Sequence, residues 1–226
     1  MPAYATAVFD LDGTLLDTLE DLMLSVNAAL ASQGLPPRTL DEVRRFVGNG
    51  IRLLVSRAVP AGTPADQEAA VFDAFRAHYA AHCEDHTGPY PGIPELLGHL
   101  RDAGVALAVV SNKGDFAVQE LVGRQFPGAF DAVLGECEDR GIRKKPAPDM
   151  VEAALARMGA SREGLVYIGD SEVDVQTAAN AGCPCLSVAW GFRSRAQLVE
   201  AGATTIVNTP AELERVLLGD TPRPPA

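Results

Sequence analysis

The feature that most restricts the fold of this chain is the alternation of short apolar segments with helical patterns. The apolar segments, which are rich in β-branched residues, are 5–9, 105–110, 132–135, 165–169, 185–190 and 204–207. Segments with apolar residues every three or four positions alternate with them, among them 94–104, 149–159 and 210–218. A strand that is apolar throughout must be covered on both faces of its sheet, and helices between the strands supply that cover. The pattern therefore predicts an α/β fold with a Rossmann-like, doubly wound parallel sheet.

One long region interrupts the alternation. From about Leu15 to His86 no segment has a convincing strand pattern, and helical patterns cover 17–34, 39–47, 50–59 and 64–83 instead. This predicts an all-helical cap domain (15–88) inserted into an α/β core domain (1–14 and 89–218). The return segment 86–92 is rich in glycine and proline, which is typical of a hinge. The tail 219–226 is expected to be disordered.

The composition excludes several classes of partner. A formal net charge of −11 argues against nucleic acid or an anionic membrane, because both attract concentrated positive charge. No apolar run approaches the ~18 residues of a membrane span, and no basic stretch precedes an apolar one near the start. The cysteines Cys83, Cys137, Cys183 and Cys185 follow neither a zinc pattern nor a disulfide framework. We therefore expect a cytoplasmic protein, a monomer or homodimer, that acts on a small molecule.

Polar residues stand at or soon after the carboxyl ends of the predicted strands, where open parallel sheets bind their ligands. These residues are Asp10, Asp12, Ser111, Asn112, Lys113, Lys144, Lys145, Asp170, Ser171 and Asp174. Two carboxylates as close in sequence as Asp10 and Asp12 repel each other unless a cation or a chemical task compensates the cost. An excess of carboxylates of this kind suits Mg²⁺, which takes oxygen ligands.

The lysines indicate the same segments. The chain has sixteen arginines but only three lysines, and Lys113, Lys144 and Lys145 all lie among the residues at the strand ends. This restriction favours a functional role over chance, and we expect one residue of the Lys144–Lys145 pair to act in the site.

The segments DLDGT, SNK, KKPAP and GDSEVD, in this order, resemble the four motifs of the haloacid dehalogenase superfamily. They are most similar to the motifs of its phosphatases that carry a helical cap after the first strand, and the resemblance covers nearly the whole chain except the tail. Within the superfamily, DLDGTLLDT, VGNG, PYPG and SNK most resemble segments of the phosphoglycolate phosphatases. The resemblance implies a Mg²⁺-dependent phosphoric monoester hydrolase, most similar to those acting on 2-phosphoglycolate.

The resemblance also implies catalytic roles. Asp10 would be the nucleophile that accepts the phosphoryl group as an aspartyl phosphate. Asp12 would protonate the leaving oxygen and then deprotonate the water that hydrolyses the intermediate. Ser111 would hold a phosphoryl oxygen, and Lys145 would balance charge between Asp10 and phosphate. The chemistry is consistent, since a carboxylate nucleophile divides hydrolysis into two easier steps.

The implied Mg²⁺ site consists of the Asp10 side chain, the main-chain oxygen of Asp12 and the Asp170 side chain. Asp174 would support that site from nearby or through water. Such an ion lets two aspartates sit close together, and with a lysine it supplies the charge neutralisation that phosphoryl transfer needs.

The expected substrate contacts are Thr14, Ser111 and Asn112 in the core and Gly48, Asn49 and Gly50 in the cap. The cap loop 48–50 has two interpretations: an Asn-Gly turn, or a loop whose amides bind an anion at the start of the next helix. Arg44, Arg45 and Arg52 flank it. His78, His82 and His86 recur every four residues, so a single helix would place them on one face. There two of them would bind a transition metal or simply face solvent.

Other functions are separated by single positions. Dehalogenases of the superfamily lack the second aspartate, so Asp12 favours phosphate chemistry. Phosphonoacetaldehyde hydrolases need a cap lysine, and this cap has none. β-Phosphoglucomutases carry a histidine where this chain has Leu22. The alternatives left open are another small phosphomonoester or pyrophosphate as substrate, a phosphomutase, and a non-catalytic phospho-ligand sensor.

Overall fold

The computed structural model describes residues 2–219. The chain divides into two compact units, one comprising the residues up to Leu15 and from Pro89 onward, the other comprising Leu16–Gly88. The assignment of these units as a catalytic core and a cap remains a prediction. Of the tail predicted to be disordered, only Gly219 is described, and 220–226 lie outside the described residues.

The strands and helices follow one another along the chain. The strands are β1 (Thr6–Phe9), β2 (Leu16–Asp17), β3 (Gly88–Pro89), β4 (Ala106–Gly114), β5 (Ala132–Glu136), β6 (Leu165–Gly169), β7 (Cys185–Val188) and β8 (Thr205–Val207). The helices are α1 (Leu19–Ser32), α2 (Leu40–Phe46), α3 (Ile51–Ala58), α4 (Ala65–His82), α5 (Ile93–Asp102), α6 (Asp115–Gln125), α7 (Asp149–Met158), α8 (Glu172–Ala181), α9 (Arg195–Glu200) and α10 (Pro210–Leu218). A 3₁₀ helix spans Glu138–Arg140.

The first unit is built on a parallel sheet. Within the described residues it has six strands in the order β5-β4-β1-β6-β7-β8, and every neighbouring pair is parallel. The chain fills one side of β1 with β4 and β5 and then the other side with β6, β7 and β8. The direction of winding therefore reverses beside β1, and open α/β sheets bind ligands at such a point. The predicted doubly wound parallel fold is confirmed.

The strands of this sheet are apolar because both of their faces are covered. Every residue of β1 and of β6 is buried. On one face, Met150, Val151 and Leu155 of α7 share a buried apolar cluster with Val8 and Tyr167 of these strands. Burying a large apolar side chain contributes roughly 1.5–3 kcal/mol, so this cluster is a main source of stability for the sheet that carries the strand ends.

The second unit contains the helices α1 to α4, and α1 packs against α4 and α2. Apolar residues three and four positions apart form the packed faces. Leu22, Val26 and Leu30 are buried on α1, and Val71 and Phe75 are buried on α4. The helical character predicted for this region follows from this spacing, because residues so spaced share one face of a helix.

The prediction of no strand between Leu15 and His86 was wrong at Leu16–Asp17. This segment is β2, and it pairs with β3 in a two-stranded sheet. A strand of two residues is too short to leave an alternating pattern of apolar and polar residues, so periodicity does not detect it. The pairing joins the chain segment that enters the helical unit to the segment that leaves it.

Asp21, in the first turn of α1, is buried and binds the segment that returns from the helices. Its carboxylate accepts hydrogen bonds from the main-chain nitrogens of His86 (3.0 Å) and Thr87 (2.9 Å) and from Thr87 Oγ1 (2.8 Å). His86 Nδ1 lies 2.8 Å from Asp21 Oδ1. Burial raises the pKa of Asp21, but these hydrogen bonds outweigh it and hold the pKa below its usual value.

The prediction of a single helical face carrying three histidines was wrong. The helix α4 ends at His82, and His86 binds Asp21 instead. His78 and His82 do stack, with ring centroids 4.3 Å apart, while His78 Nδ1 lies 3.0 Å from Ser25 Oγ. Among the described residues, the three histidines form no common metal-binding group.

Two further features concern the chain as a whole. Cys83, Cys137, Cys183 and Cys185 are all free thiols. Among residues 2–219, no helix combines the length and the apolar character needed to cross a membrane.

Candidate active site

The structure brings the polar residues at the strand ends of the first unit together. Asp10 directly follows β1, Ser111 lies near the end of β4, and Asp170 directly follows β6. These three strands are neighbours in the sheet, and their parallel register aligns their carboxyl ends. Asp10 is held there by its main-chain nitrogen, which donates to the carbonyl of Ile168 at 2.9 Å.

Three buried carboxylates form the centre of this group. Asp10, Asp170 and Asp174 each place a carboxylate oxygen within 4.8 Å of the others. Burial, together with the charge of Asp174, raises the pKa of Asp10 to about 7. Burial and the charges of Asp174 and Asp10 raise the pKa of Asp170 well above its usual value. Three oxygen donors that repel one another in this way fit a hard divalent cation, which would relieve the repulsion.

Lys145 supplies positive charge at the same place. Its Nζ lies 2.7 Å from Asp10 Oδ1 and 2.9 Å from Asp174 Oδ1, and the residue is buried. Burial alone would lower the pKa of Lys145, but the charges of Asp10 and Asp174 raise it, so the ammonium stays protonated. The neighbouring Lys144 is only partly buried, with its Nζ 3.9 Å from Glu138 Oε2. The geometry therefore favours Lys145 as the functional member of the pair.

Asn112 uses its side-chain amide to hold the Lys145 segment. Its Oδ1 accepts a hydrogen bond from the Lys145 main-chain nitrogen at 2.8 Å, and its Nδ2 donates to the Lys145 carbonyl at 3.1 Å. This pair of bonds favours a role in positioning Lys145, whereas the sequence suggested a substrate contact. The predicted contact remains a prediction.

Asp174 is almost fully committed to protein donors. Its Oδ1 accepts from Lys145 Nζ and from the Tyr167 hydroxyl at 3.1 Å. Its Oδ2 accepts from the Ser171 main-chain nitrogen at 3.0 Å and from Ser171 Oγ at 2.6 Å. A Cβ at Gly169 would lie 2.3 Å from Asp174 Cβ, so only glycine permits this approach. These contacts favour a supporting role for Asp174 over direct binding of a metal.

Lys113 is a site residue to which the sequence assigned no role. Its buried Nζ lies 2.8 Å from Asp12 Oδ1, and its main-chain nitrogen donates to Ser111 Oγ at 3.3 Å. The rarity of lysine in the chain had indicated this position. Lys113 therefore holds the Asp12 carboxylate and helps to fix the Ser111 hydroxyl at the end of β4.

The loop that follows Asp12 is tightly packed. Gly13 has a φ of +84°, and a Cβ there would lie 2.4 Å from Asp170 Oδ2. Thr14 is fully buried, and its Oγ1 has no hydrogen-bond partner among the described residues. Its carbonyl accepts a hydrogen bond from Trp190 Nε1 at 3.1 Å. The side chain of Thr14 is thus enclosed by protein, and its predicted contact with substrate stays a prediction.

The predicted binding loop Gly48–Asn49–Gly50 lies in the second unit, between α2 and α3. Both glycines have positive φ values, 122° for Gly48 and 87° for Gly50, as a glycine-dependent turn requires. Arg57 holds the loop by donating to Asn49 Oδ1 at 3.0 Å. Of the flanking arginines, Arg44 pairs with Asp41 and Arg52 lies over the ring of Phe72. The turn is thus formed, and its binding of an anion remains a prediction.

Comparison with known proteins places the site in a family context. The model of the family described as haloacid dehalogenase-like hydrolase matches residues 7–188. The chain is 40% identical over 192 residues to the phosphoglycolate phosphatase of Caulobacter vibrioides, covering 83% of this chain and 80% of that protein. It is 32% identical over 224 residues to the phosphoglycolate phosphatase of Agrobacterium fabrum, covering 96% and 95% respectively.

Two other relatives extend the comparison. An N-acetylmuramic acid 6-phosphate phosphatase of Pseudomonas aeruginosa is 33% identical over 211 residues, covering 93% of each chain. A crystal structure of a protein from Lactobacillus delbrueckii subsp. bulgaricus has a TM-score of 0.92 and 42% identity, covering 97% of this chain and 100% of that one. The similarity therefore extends over nearly the whole fold, including the strand ends that carry the buried carboxylates.

Proposed function

Since this chain belongs to the family of haloacid dehalogenase-like hydrolases, we propose that it hydrolyses 2-phosphoglycolate with Mg²⁺ and an aspartyl-phosphate intermediate. The observation that carries the proposal is the buried group at the ends of β1, β4 and β6. There Asp10 lies beside one protonated lysine, Lys145, and among further carboxylates. Such an arrangement supplies a nucleophile, charge balance for a phosphoryl group and oxygen donors for a cation.

Asp10 is the nucleophile in the first step. Its Oδ1 accepts from the Leu11 main-chain nitrogen at 2.7 Å and lies 2.7 Å from Lys145 Nζ, so the carboxylate is held in one orientation. A carboxylate oxygen attacks phosphorus, the bond from phosphorus to the ester oxygen breaks, and the aspartyl phosphate forms. Asp12 gives its proton to the leaving oxygen, which departs as an alcohol.

The second step regenerates the enzyme. Asp12, now a carboxylate, takes a proton from water while the water oxygen attacks phosphorus. The bond from phosphorus to Asp10 breaks, and inorganic phosphate and the free Asp10 carboxylate are released. Lys113 Nζ lies 2.8 Å from Asp12 Oδ1 and so orients the side chain that donates a proton in the first step and accepts one in the second.

Lys145 and Ser111 hold the phosphoryl group. The Lys145 ammonium, 2.7 Å from Asp10 Oδ1, stands where negative charge accumulates as Asp10 attacks. The Ser111 hydroxyl, fixed at the end of β4, donates to a phosphoryl oxygen. Groups that are fixed before the reaction stabilise developing charge without the cost of reorganising in the transition state.

The chain's own donors fit Mg²⁺. The Asp10 side chain, the Asp12 main-chain oxygen and the Asp170 side chain would hold the ion, with Asp174 behind them. When bound, the ion would neutralise charge on the phosphoryl oxygens and on the carboxylates. The raised pKa values of Asp10 and Asp170 agree with this assignment. Burial is the larger cause of both shifts and the charge of Asp174 adds to it, so a bound cation would stabilise the charged form of these carboxylates.

The substrate rests on the relatives. The phosphatases that are 40% and 32% identical to this chain carry the name of phosphoglycolate. A second candidate, a larger sugar phosphate, is favoured by the phosphatase for N-acetylmuramic acid 6-phosphate, which is 33% identical over nearly the whole chain. The intact set Asp10, Asp12 and Lys145 argues against a non-catalytic sensor, and Leu22 argues against a phosphomutase.

The test is phosphate release from a panel of substrates. We expect 2-phosphoglycolate to have the highest kcat/KM when compared with N-acetylmuramic acid 6-phosphate, glycerol phosphate, phosphoserine, glucose phosphates and pyrophosphate. A competitor whose kcat/KM exceeds that of phosphoglycolate by more than about tenfold would replace it as the assigned substrate. A tenfold difference in kcat/KM is about the smallest that a single pocket contact produces. Absence of turnover with every phosphomonoester would refute the hydrolase itself.

A further inference from the structure

The loop Trp190–Arg193 contacts the candidate active site without belonging to any of its four motifs. It follows β7, which is the neighbour of β6 in the sheet, so it leaves the sheet beside the end that carries Asp170. The apolar segment at 185–190 was predicted as a strand, but β7 ends at Val188. The residues after it turn toward the loop that follows β1.

The first contact is a main-chain hydrogen bond to Asp170. The main-chain nitrogen of Phe192 donates to Asp170 Oδ2 at 2.6 Å. The bond therefore fixes the orientation of a buried carboxylate through one of its oxygens.

The second contact requires glycine. A Cβ at Gly191 would lie 2.3 Å from the Gly13 carbonyl oxygen and 2.4 Å from both Cβ and Oδ2 of Asp170. Heavy atoms do not approach so closely without a bond, and packed interiors yield little to such a contact. The backbone at Gly191 thus lies directly against the two segments that would supply metal ligands.

The third contact joins the same loop to the segment after β1. The indole Nε1 of Trp190 donates to the Thr14 carbonyl at 3.1 Å. Because Gly13 and Thr14 directly follow Asp12, this bond fixes the backbone whose Asp12 carbonyl is the proposed ligand. The loop therefore contacts both Asp170 and the segment that follows Asp12.

Arg193 anchors the loop at its far end. It is buried, and its guanidinium makes two bonds to Glu172, from Nε at 2.8 Å and from an Nη at 3.2 Å. Glu172 begins α8, two residues after Asp170. A planar guanidinium with two parallel bonds to a carboxylate resists rotation, so the loop and the start of α8 are held as one piece.

We propose that Trp190–Arg193 is a positioning loop, which orients Asp170 and the Asp12 backbone so that their oxygens bind one divalent cation. This rests on the proposed function, but it assigns the geometry of the cation site to residues that do not touch the cation. Groups that orient metal ligands in this way typically change metal affinity by about 10–100-fold when they are removed.

The experiment measures Mg²⁺ binding to the substrate-free protein by isothermal titration calorimetry. The variants are Gly191→Ala, which forces a Cβ against Asp170, and Trp190→Phe, which keeps a ring and removes the indole donor. Gly98→Ala is the matched control, because a Cβ there meets no atom within 4 Å. We expect a Kd about tenfold or more weaker for Gly191→Ala, a smaller loss for Trp190→Phe, and the wild-type Kd for Gly98→Ala.

A kinetic measurement separates positioning from general damage. Raising the Mg²⁺ concentration should restore most of the kcat of Trp190→Phe, whereas a merely misfolded fraction would not respond. If Gly191→Ala does not fold, Trp190→Phe decides the question. A wild-type Kd for a folded Gly191→Ala, or for Trp190→Phe in its absence, overturns the inference. Failure of the proposed function gives a different result, because the wild-type protein itself then releases no phosphate or binds no Mg²⁺. Wild-type protein that binds no Mg²⁺ overturns both the proposed function and this inference.

Discussion

The contacts of Asp21 allow a test of what holds the second unit together. Asp21 is 1% exposed, and its carboxylate accepts from two main-chain nitrogens and one hydroxyl of His86 and Thr87. Asp21→Ala removes every acceptor and leaves these donors facing a small gap. Asp21→Asn removes the charge but keeps one acceptor oxygen, and its amide group can donate to a neutral His86 ring.

The magnitude follows from the number and kind of bonds. A hydrogen bond to a charged group contributes about 1.5–3 kcal/mol, and bonds that share one acceptor are not additive. We therefore expect Asp21→Ala to lower the free energy of unfolding by about 3 kcal/mol, and Asp21→Asn by about half as much. Asp17→Asn is the matched control. Asp17 is exposed, and its carboxylate accepts one longer bond, from Leu19 at 3.3 Å, so its loss is about 0.5 kcal/mol or less.

The pH dependence has a defined sign. The hydrogen bond to Asp21 raises the pKa of His86 above its usual 6.5, so this contribution is complete below 6.5 and is lost as pH rises through the folded pKa. The pKa of Asp21 lies below its usual 3.8, so its contribution is present above 3.8 and is lost as pH falls through the folded pKa. The stability added by the pair is therefore greatest between these limits.

The assay is urea denaturation at about pH 6 and about pH 8, with hydrogen exchange at the amides of 86–88 to localise the effect. The difference between wild type and Asp21→Asn should be larger at the lower pH, where a protonated His86 ring and the asparagine amide are both donors. Equal unfolding free energies for Asp21→Ala and Asp17→Asn would refute the reasoning. So would a difference between wild type and Asp21→Asn that grows as the pH rises.

Two further predictions concern the reaction. Asp10→Asn should keep the fold, with a thermal midpoint that is unchanged or raised because repulsion between carboxylates is reduced. It should lower kcat by about 10³-fold or more. Retention of about a tenth of wild-type turnover would contradict the assignment of Asp10 as the nucleophile. Excess EDTA should abolish phosphate release, and added Mg²⁺ should restore it, whereas Ca²⁺ should restore little because its looser shell misplaces nucleophile and phosphate; full turnover in chelator would contradict the metal requirement.

Much of the sheet was predictable because its strands are covered on both faces. The segments at 165–169 and 132–135 became β6 and β5 with almost the predicted bounds, since burial on both faces leaves an unbroken apolar run. The pairing of β2 with β3 was missed because four residues carry no periodic pattern. The prediction of a helical face with three histidines was wrong because α4 ends at His82. His86 instead contacts the Asp21 carboxylate, and local sequence spacing does not predict this contact.

The candidate site was also predictable only in part. Residue types in the sequence indicated some of its members, whereas the contacts between them depend on the arrangement of the backbone. The scarcity of lysine indicated both Lys113 and Lys145, and the structure places each ammonium within 2.8 Å of a motif aspartate. Which aspartate each lysine would meet depended on how β1, β4 and the start of α7 are arranged in space. Sequence spacing does not contain this information, so the contact between Lys113 and Asp12 could be identified only from the folded structure.

The positioning loop shows why some of the machinery leaves no motif at all. Phe192 holds Asp170 through a main-chain nitrogen, a group that nearly every residue type possesses. Gly191 acts through the absence of a side chain, and glycine in a sequence is explained equally well by a turn, a helix end or a close approach. Only the 2.4 Å between its missing Cβ and Asp170 distinguishes these explanations. A residue that orients a ligand through its main-chain nitrogen, as Phe192 does, is therefore free to vary in its side chain, whereas a residue such as Gly191 is found by a substitution that adds a Cβ.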